Sequence, residues 1–273
     1  MVLPPDVRSA TMVFAEFSIK AANLVNFLLG SLGNAGRNGV RRLNQLYLFA
    51  TAFGNRNIDI AGPGAASMMR EDHLKLLVAT TNRGKLSELE GLLQGLPFDL
   101  LTLGDLEIVD EVEETGSTFT TNAELKASAY AQRSSLLTIA DDSGLEVRSL
   151  GGRPGVHTAR YGGPHTSFDE KMRLLLREME SAGNDRTARF VCAVSVADEL
   201  GRNLISTVGI CDGHIATEQR GSLGFGYDPI FVPDGYEQTF GELSADIKQK
   251  ISHRSRSFAQ IIPFLRDFIA IMT

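Results

Sequence analysis

The sequence predicts an α/β fold with a mixed β-sheet. In residues 74–147, short apolar runs alternate with amphipathic segments, which is the pattern of strands connected by helices. In residues 188–213, two apolar runs instead follow each other across a short polar turn, which is the pattern of an antiparallel hairpin. A sheet that contains both arrangements combines parallel and antiparallel pairing.

The first elements are expected to be a strand, a loop and a helix. Residues 74–81 (LKLLVATT) form an apolar run, and residues 82–85 (NRGK) interrupt it. A helix is expected next, because three leucines recur on one helical face: Leu86, Leu89 and Leu93. Residues 98–103 predict a second strand, and an acidic loop follows it as far as Gly116.

A second helix is expected to begin after Ser117, a residue type that caps helices, and to run to about Arg133. One stripe of this helix carries three apolar residues and a lysine: Phe119, Ala123, Lys126 and Tyr130. Residues 136–140 (LLTIA) then predict a buried strand that ends abruptly at residues 141–144 (DDSG).

The second half of the chain predicts one helix and an antiparallel set of strands. Residues 167–180 have the spacing of an amphipathic helix. Residues 188–198 and 203–213 predict the hairpin, and residues 214–220 (HIATEQR) are expected to add a third antiparallel strand. After a glycine-rich loop, the apolar run IFVP predicts one more strand, and Ser244 opens a final helical region.

Composition and charge exclude several classes of protein. The chain has 273 residues, of which 43% are hydrophobic and 22% charged, so extended disorder, a collagen and a coiled coil are excluded. The charge-free residues 21–36 are interrupted by asparagines and glycines, so no membrane span is expected. Cys192 and Cys211 fit neither a disulfide framework nor a zinc site, which favours buried free thiols and a reducing compartment, the cytoplasm.

The charge is unevenly distributed along the chain. Residues 1–70 carry seven Lys or Arg and three acids, whereas residues 71–273 carry 20 Lys or Arg and 30 acids. Because the second segment is strongly acidic, its overall electrostatic field does not favour binding of nucleic acid. A phosphate ligand would need a local cluster of basic residues or a metal ion.

The same boundary divides the predicted domains. Residues 71–273 are expected to form the functional domain, and residues 1–70, with loose apolar clusters among Asn- and Gly-rich stretches, are expected to be an appendage. A leader sequence is one explanation of the appendage. A start site assigned too far upstream is the preferred one, because Met68 and Met69 stand just before the first strand.

Five segments carry candidate chemistry. Residues 80–85 (TTNRGK) join a strand to a helix, where backbone N–H groups and Lys85 would attract a phosphate. The loop EVEETG holds Glu111, Glu113 and Glu114, and Lys126, on its otherwise apolar stripe, must meet acids or a phosphate. The alternatives are a helix entry with an exposed lysine and a solvated run of acids.

Three further segments complete this set. Asp141 and Asp142 lie at the end of a strand and point to opposite sides, so one could contact a metal ion or water while the other braces a turn. In residues 221–229, Phe225 and Tyr227 could stack on a base, or they could be core aromatics. His253 and its neighbours (Arg254, Lys248 and Lys250) supply donors, although alone they indicate only a basic helix start. Together the five segments suit hydrolysis of a nucleoside triphosphate.

The ordered motifs resemble those of the inosine triphosphate pyrophosphatase family, which acts on non-canonical purine nucleoside triphosphates. The motifs are TTNRGK, EETG followed by LKA, IADDSGLEV, GGRPGVHTARY, GFGYDPIF and ISHR, and the resemblance covers residues 74–268. It implies an elongated mixed sheet with two lobes around a substrate cleft, a homodimer and a requirement for Mg²⁺. It also implies hydrolysis of ITP, dITP and XTP to the monophosphate and pyrophosphate, which removes these nucleotides from the pool, with neither nucleic acid nor membrane as partner.

The resemblance also implies roles for individual residues. Asp142 would be the general base and a metal contact, with Lys126 the second catalytic residue and Glu114 preferred to Glu113 as the other metal ligand. Ser143 and the first motif would bind the substrate and its triphosphate: Thr80, Thr81, Asn82, Arg83, Gly84 and Lys85. Seven residues would surround the purine: Phe225, Gly226, Tyr227, Asp228, Lys248, His253 and Arg254.

Two departures from the common family pattern remove no functional group. Thr81 replaces a frequent glycine, and His157 stands where an aromatic residue is often found. Two other functions stay open from the sequence. One is a house-cleaning pyrophosphatase for pyrimidine or modified nucleotides, and the other is a nucleotide sensor that binds without hydrolysis.

Overall fold

The computed structural model describes residues 74–272, with side chains as far as residue 270. The chain divides into a compact unit of Glu71–Arg266 and a second unit that combines Met1–Arg70 with Asp267–Thr273. The sheet and the cleft described below lie in the first unit. The predicted appendage, residues 1–70, lies outside the described residues.

The described residues form one six-stranded mixed sheet with the strand order β2-β1-β3-β4-β5-β6. β1 pairs in parallel with both β2 and β3, whereas β3, β4, β5 and β6 pair successively antiparallel. The mixed sheet predicted from the sequence is therefore confirmed. The strands are β1 (Leu74–Val78), β2 (Phe98–Thr102), β3 (Leu137–Val147), β4 (Thr187–Ala197), β5 (Asn203–Ile215) and β6 (Phe231–Pro233).

Five α-helices flank the sheet in the described part of the chain: α1 (Arg83–Leu93), α2 (Phe119–Ser134), α3 (Phe168–Ala182), α4 (Ala245–Ile251) and α5 (His253–Met272). α2 begins one residue later than predicted, because the Thr118 side chain, rather than Ser117, accepts the capping bond from the N–H of Thr121. The final helical region is divided at Ser252, so that α5 begins at His253.

Two strand predictions were wrong. The strand that was expected to end at residues 141–144 instead continues to Val147, because β4 pairs with it at successive positions from Thr138 onward. Residues 214–220 do not form a third strand, since β5 already includes His214 and Ile215 and its next partner is β6. In both places the partner strand, rather than the local sequence, determines where the strand ends.

Buried apolar side chains pack in clusters between the helices and the sheet. One cluster packs α3 against β3, β4 and the β6 region, another packs α2 against β1 and β3, and a smaller one packs the start of α2 against β4. Cys192 and Cys211 are buried free thiols, as expected, and burial raises the pKa of Cys192 to about 12. None of the described helices is both long and apolar enough to cross a membrane.

Candidate active site

A cleft of about 580 Å³ brings together residues from all five predicted segments. Of the predicted site residues, Arg83 and Gly84 do not line it; Arg83 is exposed at the start of α1, and Gly84 lies beneath the ring of Phe225. The others line the cleft: Thr80, Thr81, Asn82, Lys85, Glu114, Lys126, Asp142, Ser143, Phe225, Gly226, Tyr227, Asp228, Lys248, His253 and Arg254.

The loop between β1 and α1 lines the cleft and places the start of α1 there. The side chain of Asn82 caps α1 by accepting a bond from the N–H of Lys85 at 3.1 Å, and the Thr80 hydroxyl accepts one from the N–H of Asn82 at 3.2 Å. The positive end of the helix dipole therefore faces the cleft. The ammonium of Lys85 lies 3.1 Å from Asp141.

Asp142 lies in the middle of β3 and faces α2. Its Oδ2 accepts a bond of 3.1 Å from the Asn122 amide, and its Oδ1 lies 3.6 Å from the ammonium of Lys126. The same ammonium donates to Glu114 at 2.7 Å. The expectation that Lys126 turns inward and meets acids is confirmed.

The pKa values of Asp142 and Lys126 are both raised, but burial contributes to them with opposite signs. Burial raises the pKa of Asp142, and the nearby Glu114 carboxylate adds to the effect, against the opposing charges of Lys126 and Lys85. Burial alone would lower the pKa of Lys126, but its acidic neighbours outweigh burial, and the pKa is raised. Lys126 is therefore a permanent positive charge between two carboxylates.

Asp141 faces the opposite side of the sheet. Its Oδ2 lies 3.1 Å from Lys85 and 3.2 Å from Arg254, while Oδ1 is buried without a hydrogen-bond partner among the described residues. Burial opposes ionisation, but Lys85, Arg254 and Lys126 together hold the pKa of Asp141 well below its usual range. Asp141 therefore links a cation of the first loop to a cation of α5.

Glu88, which the sequence did not single out, completes this charged cluster. It accepts bonds from Arg254 and, at 2.7 Å, from Lys248, whose ammonium also binds Asp228. Arg254 additionally donates to the Ser143 hydroxyl at 2.9 Å. Glu88 lies three residues after Lys85 on α1, but Arg254 is 166 positions away, so the sequence carried no signal of this pairing.

The predicted aromatic platform is divided between cleft and core. The ring of Phe225 lies against Gly84, with the ammonium of Lys248 4.6 Å from its centroid. Tyr227, in contrast, is only 1% exposed and belongs to the apolar core. Its ring is therefore a core aromatic, which was the alternative to stacking on a base. His253 is buried and stacks on Phe190 with a centroid distance of 4.7 Å.

Comparison with known proteins assigns the family. The dITP/XTP pyrophosphatase of Oceanobacillus iheyensis is 42% identical over 193 residues, which are 70% of this chain and 98% of that protein. The dITP/XTP pyrophosphatase of Nostoc sp. is 45% identical over 188 residues, 69% of this chain and 92% of that protein.

A solved structure agrees with these sequence relatives. The HAM1 protein from Coxiella burnetii superposes with a TM-score of 0.66 at 36% identity, covering 70% of this chain and 98% of that one. The model of the Ham1 family matches residues 76–264, a segment that includes the cleft and most of the sheet and its flanking helices. The chain belongs to the Ham1 family.

Proposed function

We propose that this protein hydrolyses the non-canonical purine nucleoside triphosphates ITP, dITP and XTP to the monophosphate and pyrophosphate. The names of the relatives, dITP/XTP pyrophosphatase, support this substrate class. The observation that carries the reaction is the contact between Asp142 and Lys126 in the cleft, where a carboxylate and a permanent cation lie 3.6 Å apart. Such a pair can hold a water molecule and stabilise developing phosphate charge.

The residues present fit a bound Mg²⁺ ion. Among the described residues, no three His, Cys, Asp or Glu side chains cluster as a metal site, but Glu114 and Asp142 both reach Lys126. Two carboxylates are enough, because Mg²⁺ in nucleotide enzymes is held by one or two of them together with water and substrate phosphates. When bound, the ion would offset negative charge on the phosphates. Glu113 also lines the cleft but is exposed, whereas Glu114 pairs with Lys126, which favours Glu114.

Different residues of the cleft would have different roles in the reaction. Asp142 would accept a proton from the attacking water, whose oxygen forms a bond to the α-phosphorus. The bond from that phosphorus to the bridging oxygen breaks, and the electron pair leaves with pyrophosphate. Lys126 and Lys85 would neutralise the charge that develops, and the loop of Thr80 and Asn82 lines the cleft beside Lys85.

The opposite end of the cleft would hold the purine. Phe225 offers a ring face, and Arg254 and Lys248 offer donors for the 6-keto oxygen of hypoxanthine or xanthine. Adenine carries a 6-amino group there, which cannot accept a bond from these donors, so its binding would lack this contact. Exclusion of guanine, which shares the 6-keto group, would depend on contacts near its 2-amino group.

The test compares pyrophosphate release from several nucleotides, with and without Mg²⁺. Rapid release from dITP and XTP, with GTP and dTTP slower by at least about tenfold, is the expected result. Comparable release from dTTP would instead identify a pyrimidine or general house-cleaning enzyme. Binding of dITP without any release would identify a nucleotide sensor.

The same proposal includes a homodimer that acts in the cytoplasm on the free nucleotide pool. It is supported by the family motifs and by the two reduced, buried cysteines. Light scattering coupled to gel filtration would measure the mass in solution, and a mass of one chain would contradict the dimer.

A further inference from the structure

We propose that Arg160 is a further substrate-binding residue, whose guanidinium binds the phosphates that leave as pyrophosphate. This proposal rests on the proposed function and adds a residue to it. Arg160 ends the 3₁₀ helix Gly155–Arg160 and lines the cleft. Its Nη2 lies 3.6 Å from Oε2 of Glu114, and its side chain is 48% exposed.

The backbone just before Arg160 is firmly anchored. The Thr158 hydroxyl donates to the carbonyl of Gly155 at 2.6 Å and accepts from the N–H of Leu145 on β3 at 2.9 Å. The buried ammonium of Lys171 on α3 donates to the carbonyl of Ala159 at 2.7 Å. These bonds hold the turn from two sides, so the Arg160 side chain extends from a fixed position at the cleft.

Arg160 differs from the other cations of the cleft in how it is paired. Arg254 is 1% exposed and bonded to two carboxylates and a hydroxyl, and Lys248 and Lys126 each contact two carboxylates. Lys85 and Arg160 each have a single carboxylate contact, but that of Lys85 is 3.1 Å long and its side chain is 15% exposed, whereas that of Arg160 is 3.6 Å long and its side chain is 48% exposed. Arg160 can exchange that contact for a phosphate with little loss, since exposed ion pairs contribute little.

The order of contacts identifies which phosphates Arg160 would meet. Glu114 receives Lys126 on Oε1 and Arg160 on Oε2, so the charges follow one another as Asp142, Lys126, Glu114 and Arg160. With water attack beside Asp142 at the α-phosphorus, and the purine at Phe225, the far end of this series corresponds to the β- and γ-phosphates. A guanidinium suits them because it binds two phosphate oxygens at once.

Glu114 couples this role to the metal. If Glu114 turns its carboxylate to Mg²⁺, Arg160 loses its only described carboxylate partner as the triphosphate enters. The cation is then available where charge develops on the leaving group. Binding of pyrophosphate should therefore depend on Arg160 more strongly with Mg²⁺ present than without it.

The test is calorimetric binding of inorganic pyrophosphate in the presence of Mg²⁺. We expect Arg160→Ala to weaken binding at least about tenfold, and Arg160→Lys, which keeps the charge but loses the paired donors, to weaken it less. Arg189→Ala is the matched control, because Arg189 is 49% exposed, pairs with the single carboxylate of Glu146 and lies outside the cleft. It should bind within about twofold of wild type. Binding of dIMP should be unchanged in every variant.

Two results would overturn the role of Arg160. One is an affinity of Arg160→Ala for pyrophosphate within twofold of that of wild type. Absence of measurable binding by both proteins would count as the same result. The other is an equal loss of dIMP binding, which would place the contact at the α-phosphate or the purine. If Arg160→Ala does not fold, Arg160→Gln keeps the chain length and removes the charge. Absence of dITP hydrolysis by wild type would contradict the proposed function itself, and normal hydrolysis with unaltered pyrophosphate binding in the variant would contradict only this role.

Discussion

Asp141 and Asp142 are consecutive residues of β3 whose carboxylates lie on opposite faces of the sheet. Asp142 contacts Lys126 and Asn122 on the α2 side, and Asp141 contacts Lys85 and Arg254 on the other. Successive side chains of a β-strand point to opposite faces of the sheet, which produces this arrangement. One carboxylate is accordingly placed for chemistry, and the other holds two cations that the chemistry would use.

Asp142→Asn should reduce kcat by about 10²-fold or more while substrate binding changes little. The amide keeps the shape and can still meet Asn122, but it cannot accept the proton of water. Steady-state kinetics and calorimetric binding of dITP would measure both effects. Asp198→Asn is the control, because Asp198 is a buried carboxylate that pairs with Arg202 in the β4–β5 turn. A kcat above half of wild type would remove Asp142 from the role of base.

Lys126→Ala should lower both catalytic efficiency and the melting temperature without Mg²⁺. Removal of the ammonium leaves Glu114 and Asp142 facing each other without the charge between them. Mg²⁺ should therefore raise the melting temperature of this variant more than that of wild type. Lys250→Ala, at an exposed position of α4, is the control. Equal stabilisation of variant and wild type by Mg²⁺ would argue against a metal ion at these carboxylates.

Gly84→Ala and Gly91→Ala make the same change on α1 with opposite expected results. A Cβ at Gly84 would lie 2.7 Å from the Phe225 ring, so the ring must move and KM for dITP should rise. A Cβ at Gly91 meets the movable end of Gln249 at 2.7 Å, and this variant should gain up to about 0.5–1 kcal/mol of stability from helix propensity. Equal KM values for both variants would show that Phe225 does not contribute to substrate binding.

The pH dependence of stability should include a contribution from His253. Burial, followed by the charges of Arg254 and Lys248, lowers its pKa well below the usual value of 6.5, so the folded chain keeps His253 neutral. The unfolded chain takes up a proton as the pH falls below 6.5, and folding stability is lost there, by at most about 1.4 kcal/mol per pH unit.

Chemical denaturation at pH 7.5 and pH 5.5 would measure this loss. His253→Phe, which can still stack on Phe190, should lose less stability than wild type over this interval. The exposed His214 provides the control, and His214→Asn should behave as wild type. A wild-type loss no greater than that of His253→Phe would mean that His253 can be protonated in the folded chain.

A chain that begins at Met69 should fold and hydrolyse dITP at the rate of the full chain. The family match begins at residue 76, and relatives align over nearly their whole length with the segment that follows. Thermal melting and dITP hydrolysis of both forms would test this. Insolubility, or a large fall in melting temperature, would place residues 1–70 within the fold.

Local patterns predicted most of the secondary structure and part of the site. The apolar stripe of α2 placed Lys126 inside the protein correctly, because a side chain four positions from buried neighbours on a helix must share their face. Alternation likewise predicted that Asp141 and Asp142 diverge. These conclusions needed only a few consecutive residues.

The remainder depended on contacts between distant parts of the chain. The extension of β3 past residue 144 required the pairing with β4, and the burial of Tyr227 required the core built around α3. The pairing of Glu88 with Arg254 and Lys248 joins α1 to α4 and α5. The local sequence around a charged residue does not indicate which residue of another helix it will pair with. Such contacts follow from the fold as a whole.

The uninterrupted course of β3 has a consequence for the entropy of catalysis. Because residues 138–147 are all paired with β4, the backbone that carries Asp142 is already ordered before any ligand arrives. Little conformational freedom then remains to be lost at this position when the transition state forms. The backbone amides of β3 that donate to β4 should accordingly be among the slowest in the protein to exchange with deuterium, a property expected of a sheet and not of a catalytic loop.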